Sequence, residues 1–232
     1  MKKAEFEDAV RLRLGLKPHR IAEECACGKD NSANHSRNCH LGGYINQRHD
    51  RIRDYIHAKA STVYKDTETE PMLDPVEEQD LNIGANTNDG ARTDIRINSF
   101  TRDFQDTHMD VQIINVQATT HQREVPTKAM AKVEASKDRL YLERIQKVEN
   151  ATFVPLIFST RGAKTRKTSR ALSNIATKIA SKNKQNKSDV SQNINIVLSF
   201  ILLRSELACL RGKKKEKSIS NGRSNMEYKR TV

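Results

Sequence analysis

Tryptophan is absent from this chain, and aromatic residues reach only 5% of its 232 positions. Hydrophobic residues, at 36%, fall below the usual globular share, which predicts a thin core and a large surface. Long apolar runs are missing too. The longest, Ile196–Leu203, is interrupted by Ser199 and stopped by Arg204, far short of a bilayer span. No signal peptide is expected, because the first ten residues carry Lys2, Lys3, Glu5, Glu7 and Asp8 and no apolar stretch follows. The chain is therefore expected to be nuclear or cytoplasmic, not secreted, with no membrane partner. Periodic apolar segments argue against wholesale disorder, and no internal repeat is present. The length suits one domain with a small appendage.

What is abundant is positive charge: 41 Lys and Arg against 29 Asp and Glu, a net +12. That excess makes nucleic acid the default partner. The charge is segregated. Residues 66–110 are acidic, opposed only by Arg92, Arg96 and Arg102, whereas residues 161–187 are basic without one acid. Arg166, Lys167, Arg170 and Lys178 are the candidate phosphate contacts of that second segment. Solvated helix faces would account for the same pattern. A cation-binding centre beside phosphate-binding arms is the sharper alternative.

Periodicity and breakers predict the elements. Glu5–Leu16 reads as a helix ended by Gly15 and Pro18, and 21–41 as an aperiodic Cys/His-rich loop. Residues 42–60 form a helix with Ile45, His49, Ile52 and Ile56 on one stripe. Val63–Tyr64 opens a strand, 71–90 is a long loop, and Arg92–Asn98 pairs with Met109–Val116 as a hairpin. Thr127–Val148 is a long helix with Met130, Val133, Leu140, Tyr141 and Val148 on its apolar face. Thr152–Phe158 is a strand that Pro155 assigns to an edge or a bulge. Two helices follow, 163–179 and 189–209. This order predicts an α/β (α+β) layer fold, a small mixed central sheet flanked by helices.

Two clusters carry chemistry. Cys25, Cys27, His35 and Cys39 spell C-x-C-x7-H-x3-C, a thiolate and imidazole set suited to tetrahedral zinc. Free thiols, a disulfide, or His40 in place of His35 are the competing readings. Cys209, alone in an apolar helix, is expected to be a buried thiol. The second cluster is the hairpin. Side-chain alternation puts Asp94 and Arg96 opposite Ile95 and Ile97, and Asp110 and Gln112 opposite Met109, Val111 and Ile113. Asp94 and Asp110 on neighbouring strands repel unless a cation lies between them, and oxygen ligands suit Mg²⁺ or Mn²⁺. A solvated outer face is the plain alternative. Glu70 is a candidate third carboxylate, and Lys137 a candidate positive charge from the long helix.

Nine segments in order carry a resemblance: AVRLRLGL (9–16), CACG (25–28), NHSRNC (34–39) with Gly42-Gly43, RHDRIRD (48–54), Glu70-Pro71, DGARTDIRI (89–97), DVQ (110–112), TFVPLIFST (152–160) and LSFILLRSELACLRG (198–212). Together they resemble the C-terminal region of site-specific non-LTR retrotransposon polyproteins. There a CCHC zinc knuckle precedes a restriction-like endonuclease domain of the PD-(D/E)XK superfamily. The resemblance implies Zn²⁺ at Cys25, Cys27, His35 and Cys39, and catalytic Mg²⁺ or Mn²⁺ at Asp94 and Asp110. It places Gln112 where the superfamily has Lys. It assigns that lysine's role to the following helix, at Lys137 by counting back from Tyr141, with Lys132 in reserve.

Three domains are expected, the first two from the resemblance and the last from its charge: 1–41, helix and zinc knuckle; 42–210, the endonuclease domain; and 211–232, a basic disordered tail. DNA as partner, with RNA as a second, follows from the same resemblance. The implied function is metal-dependent DNA cleavage by a retrotransposon-derived nuclease detached from its reverse transcriptase. Departures give the alternative, a catalytically decayed nucleic-acid-binding relic of the same fold. Thr93 replaces a Pro, Arg51 replaces a Glu, and the Gly-rich turn is reduced to Arg161-Gly162-Ala163. A structural interaction protein with solubilising charges is a third, more distant reading.

Overall fold

The structure, a computed structural model, describes residues 2–212 apart from 20, 78, 79 and 122. The basic tail expected from the sequence therefore lies, from 213 onward, outside the described residues. The order is α1 (Lys3–Arg13), α2 (Ala33–Asn38), α3 (Tyr44–Ser61), β1 (Thr67–Thr69), β2 (Ile95–Asn98), β3 (Asp106–Ile114), α4 (Pro126–Lys147), β4 (Thr152–Ser159), α5 (Arg166–Asn183) and α6 (Lys187–Arg211).

The sheet is four-stranded and mixed, in the order β1-β2-β3-β4. The first three strands are antiparallel, and β4 runs parallel to β3. A parallel return needs a long crossover, which α4 supplies. Pro155 lies in β4, an edge strand, where its missing N–H breaks no central ladder.

Period-two alternation sorts β3 between two cores. Met109, Val111 and Ile113 pack with Ile52 and Ile56 of α3, Leu172 and Ile175 of α5, and Leu198 and Leu202 of α6. Ile114 turns the other way and packs with Met130 of α4 and Ile157 of β4. Each fully buried aliphatic contributes roughly 1.5–3 kcal/mol. Three helices thus cover one face and α4 alone covers the other. The residues of β3 beneath α4 include Asp110 and Gln112.

By length and composition α6 is the one helix among the described residues that could cross a membrane. Its Ile194, Leu198, Leu202, Leu207 and Leu210 are buried against the fold, the pattern of a core helix.

Several sequence expectations need correction. Val63–Tyr64 is not a strand: both amides bond back to Ala60 in the turn that closes α3, and Tyr64 packs on Phe100. The 21–41 loop contains α2, whose Ser32 cap accepts from the His35 amide at 3.1 Å; six residues are too few to show a period. On α4 the charged Arg144 is fully buried, as are Ala129 and Ile145, while Leu140 is 36% exposed. Arg144 donates to the carbonyls of Asn86, Asn88 and Asp74 and so pins the long acidic loop to the helix. An apolar pattern cannot reveal a helix position whose partner is backbone.

Candidate functional site

The Cys/His segment closes on itself. The Cys25 amide bonds to Lys29 O and the Gly28 amide to Cys25 O, each at 2.8 Å, and Gly28 takes a φ of +84° that favours glycine. α2 then carries His35 to the cysteines. The ligand atoms of Cys25, Cys27, His35 and Cys39 all lie within 4.8 Å of one another. Cys25 and Cys39 Sγ are 3.9 Å apart, and Cys27 Sγ is 3.2 Å from His35 Nε2. Tetrahedral zinc with Zn–S bonds of about 2.3 Å spaces sulfurs by about 3.8 Å. A disulfide, at about 2.05 Å, is excluded for this pair. The set can therefore hold one metal ion, with His35 and not His40 as its nitrogen. Burial pushes the Cys25 thiol up, whereas backbone hydrogen bonding pulls the exposed Cys27 thiol down.

The cluster is anchored to the rest of the chain. Asn31 Nδ2 donates to Leu210 O at 3.3 Å, and Asn115 Nδ2, just past β3, to Asn34 Oδ1 at 2.7 Å. Arg37 forms a buried ion pair with Glu206 of α6 and donates to Gln117 Oε1 at 3.0 Å. Leu12 and Ala9 of α1 pack on Leu207 and Leu210. Packing therefore crosses the boundary drawn at residue 41.

Asp94 and Asp110 are neighbours across adjacent strand positions, with Asp110 on the α4 side of the sheet. Ile95 pairs with Met109, and continuing that antiparallel register sets Asp94 across from Asp110. The Asp94 amide bonds to Met109 O at 2.9 Å, and Asp94 Oδ2 accepts the Val111 N–H at 2.5 Å. Asp110 is only 7% exposed. Lys137 Nζ of α4 sits 2.8 Å from Asp110 Oδ2. Among the described residues no other donor reaches that oxygen. Burial pushes the Asp110 carboxyl up, Lys137 pulls it back, and Asp94 pushes it up again.

The remaining sequence candidates fall as follows. Gln112 lies two residues on from Asp110, half-buried, on the same face. Lys132 points elsewhere, paired with Glu124; the two candidate lysines of α4 are thereby distinguished. Glu70 is close through its backbone, its amide bonding to Asp94 O at 3.0 Å. Its carboxylate instead meets Arg53 and, at 3.9 Å, Arg92. On α5, Arg166, Arg170 and Lys178 are exposed at four- and eight-residue spacings, a single stripe. Lys167 is paired with Asp138, which ties the first turn of α5 to α4 one residue from Lys137. Cys209 is fully buried.

One residue of the site was assigned by sequence to the apolar stripe of α3. His49 points its Nε2 at Asp94 Oδ2, 3.1 Å away. That hydrogen bond raises its pKa from 6.5 to about 9, against the opposing effect of burial. Arg51, two residues on, lies on the other side of α3 in a groove shared with Arg204 and Arg211. A glutamate there would not have faced Asp94.

Compared with known proteins, the chain matches no family model and no curated protein.

Proposed function

We propose that this chain is a metal-dependent nucleic-acid endonuclease domain, with DNA as its substrate and a structural zinc in the Cys25–Cys39 cluster. The observation that carries this reading is the Asp94–Asp110 pair on neighbouring strand positions, with Asp110 buried and Lys137 of α4 2.8 Å from it. Its donor set fits a hard divalent cation: two carboxylates, one with a buried oxygen that, among the described residues, no donor other than Lys137 reaches. Asp94 and Asp110 would hold Mg²⁺ or Mn²⁺, which supplies Lewis-acid polarisation of the scissile phosphate and acidifies an attacking water. Lys137 offsets the negative charge that develops on the phosphate oxygens. Arg166, Arg170 and Lys178 contact phosphates along the α5 stripe. Gln112 orients polar groups beside Asp110, and Glu70 joins the pair only after leaving Arg53. The retrotransposon-type PD-(D/E)XK ancestry, a nuclear or cytoplasmic location and RNA as a second partner belong to the same proposal.

Plasmid nicking with Mg²⁺ or Mn²⁺ tests this reading. Wild type nicks, and Asp94→Asn or Asp110→Asn abolishes nicking while leaving the fold intact. The binding-relic reading is favoured by Glu70, whose carboxylate is directed at Arg53. Salt-dependent DNA binding without nicking in either metal would select it.

A further inference from the structure

We infer that His49 is a positioning residue that fixes the Asp94 carboxylate so that one oxygen is held by the protein and the other is left for a divalent cation. This rests on the proposed metal site. Two donors from different elements converge on the same oxygen of Asp94: the Val111 amide of β3 at 2.5 Å and His49 Nε2 of α3 at 3.1 Å. A carboxylate oxygen has two lone pairs, so Oδ2 is saturated. Rotation about the last side-chain bond of Asp94 would break both bonds at once. The oxygens therefore cease to be equivalent, and Oδ1 is the one left for a ligand.

His49 is held in turn. Its Nδ1 lies 3.3 Å from Asp50 Oδ1, and Asp50 lies within 3.4 Å of Arg53, which also grips Asp54 and Glu70. His49 is 29% and Asp94 15% exposed in their side chains, so the contact is sheltered but reachable from solvent. α3 is fixed to the core by Ile52 and Ile56, about one and two turns after His49 on the same face. The imidazole thus projects from a rigid element, as a partner that orients a ligand must. Nε2–H can donate whether or not the ring is charged.

The test is Mn²⁺ binding to the full chain, followed by electron paramagnetic resonance, with plasmid nicking measured in parallel. Asp94→Asn provides the reference for loss of the site. His49→Ala is expected to weaken Mn²⁺ binding roughly tenfold or more, in the range found when an orienting partner is removed. Its nicking rate should recover at saturating Mn²⁺, because the affinity suffers and the reacting groups remain. His49→Gln, which restores an N–H donor near the same place, should regain most of the affinity. If His49→Ala binds Mn²⁺ like wild type while Asp94→Asn does not, the inference is wrong and the metal site stands. If His49→Gln is as weak as His49→Ala, the imidazole is acting as a ligand, which also overturns the positioning role. If wild type and Asp94→Asn both fail to bind Mn²⁺, the metal site falls and this inference falls with it.

Discussion

Replacing Lys137 by methionine keeps most of the aliphatic stem of this side chain and deletes its charge. The structure makes the consequence large. Lys137 Nζ is 2.8 Å from an Asp110 oxygen that no other donor among the described residues reaches, and the two side chains are only 19% and 9% exposed. Burial and the Asp94 carboxylate already push Asp110 towards its neutral form, and Lys137 opposes them. Without the lysine, a buried charge loses its counter-ion, a change that costs roughly 3–5 kcal/mol in comparable settings. Protonation of Asp110 limits the loss at low pH, so Lys137→Met should become more destabilising as pH rises. Urea unfolding at pH 7 should show a loss of roughly 3 kcal/mol. The double variant Lys137→Met/Asp110→Asn should recover most of it, because no buried charge remains. Mn²⁺ should restore the single variant but not the double. A cation at a hundred times its dissociation constant stabilises by about 2.7 kcal/mol, close to the deficit. A loss below about 0.5 kcal/mol, or an equal response of both variants to Mn²⁺, would refute the claim that Lys137 neutralises the buried Asp110 carboxylate.

The protein purified without chelator should carry about one zinc per chain, and Cys25→Ser/Cys39→Ser should carry none, as elemental analysis would show. His108 is buried and bonded through Nδ1 to Thr93 Oγ1 at 2.8 Å, and burial lowers its pKa from 6.5 to about 4. Its contribution is therefore complete above pH 6.5 and is lost as pH falls towards 4, by roughly 3 kcal/mol. His108→Gln should flatten that part of a stability-versus-pH curve, and an unchanged curve would assign the acid sensitivity elsewhere. DNA affinity should fall steeply with salt, and Arg166→Glu/Arg170→Glu/Lys178→Glu should weaken binding and lower the salt slope by about three. A slope identical to wild type would move the phosphate contacts off α5.

Local sequence was sufficient wherever one residue type forces one conformation or one chemistry. Pro155 marked an edge strand because it cannot donate to a ladder. Alternation along Asp110–Ile113 separated the core face from the Asp110 face, because the strand period is two. The spacing of Cys25, Cys27, His35 and Cys39 was legible because the segment closes within fifteen positions. Choosing His35 over His40 required the orientation of α2, which no spacing rule supplies.

Contacts between distant elements were beyond reach of any window. The choice between Lys132 and Lys137 turned on the rotation of α4 over β3, where only Lys137 reaches Asp110. Glu70 lies beside Asp94 in backbone but is drawn to Arg53, an outcome decided by charges on α3. Arg144 reads as a surface residue until the acidic loop supplies three carbonyls to its guanidinium. His49 shares the stripe of Ile52 and Ile56 by helical spacing, yet it lies where α3 passes the end of β2. Helical periodicity states which side of a helix faces inward. It does not state whether the neighbour there is an aliphatic chain or a carboxylate, because that neighbour arrives from a different part of the chain.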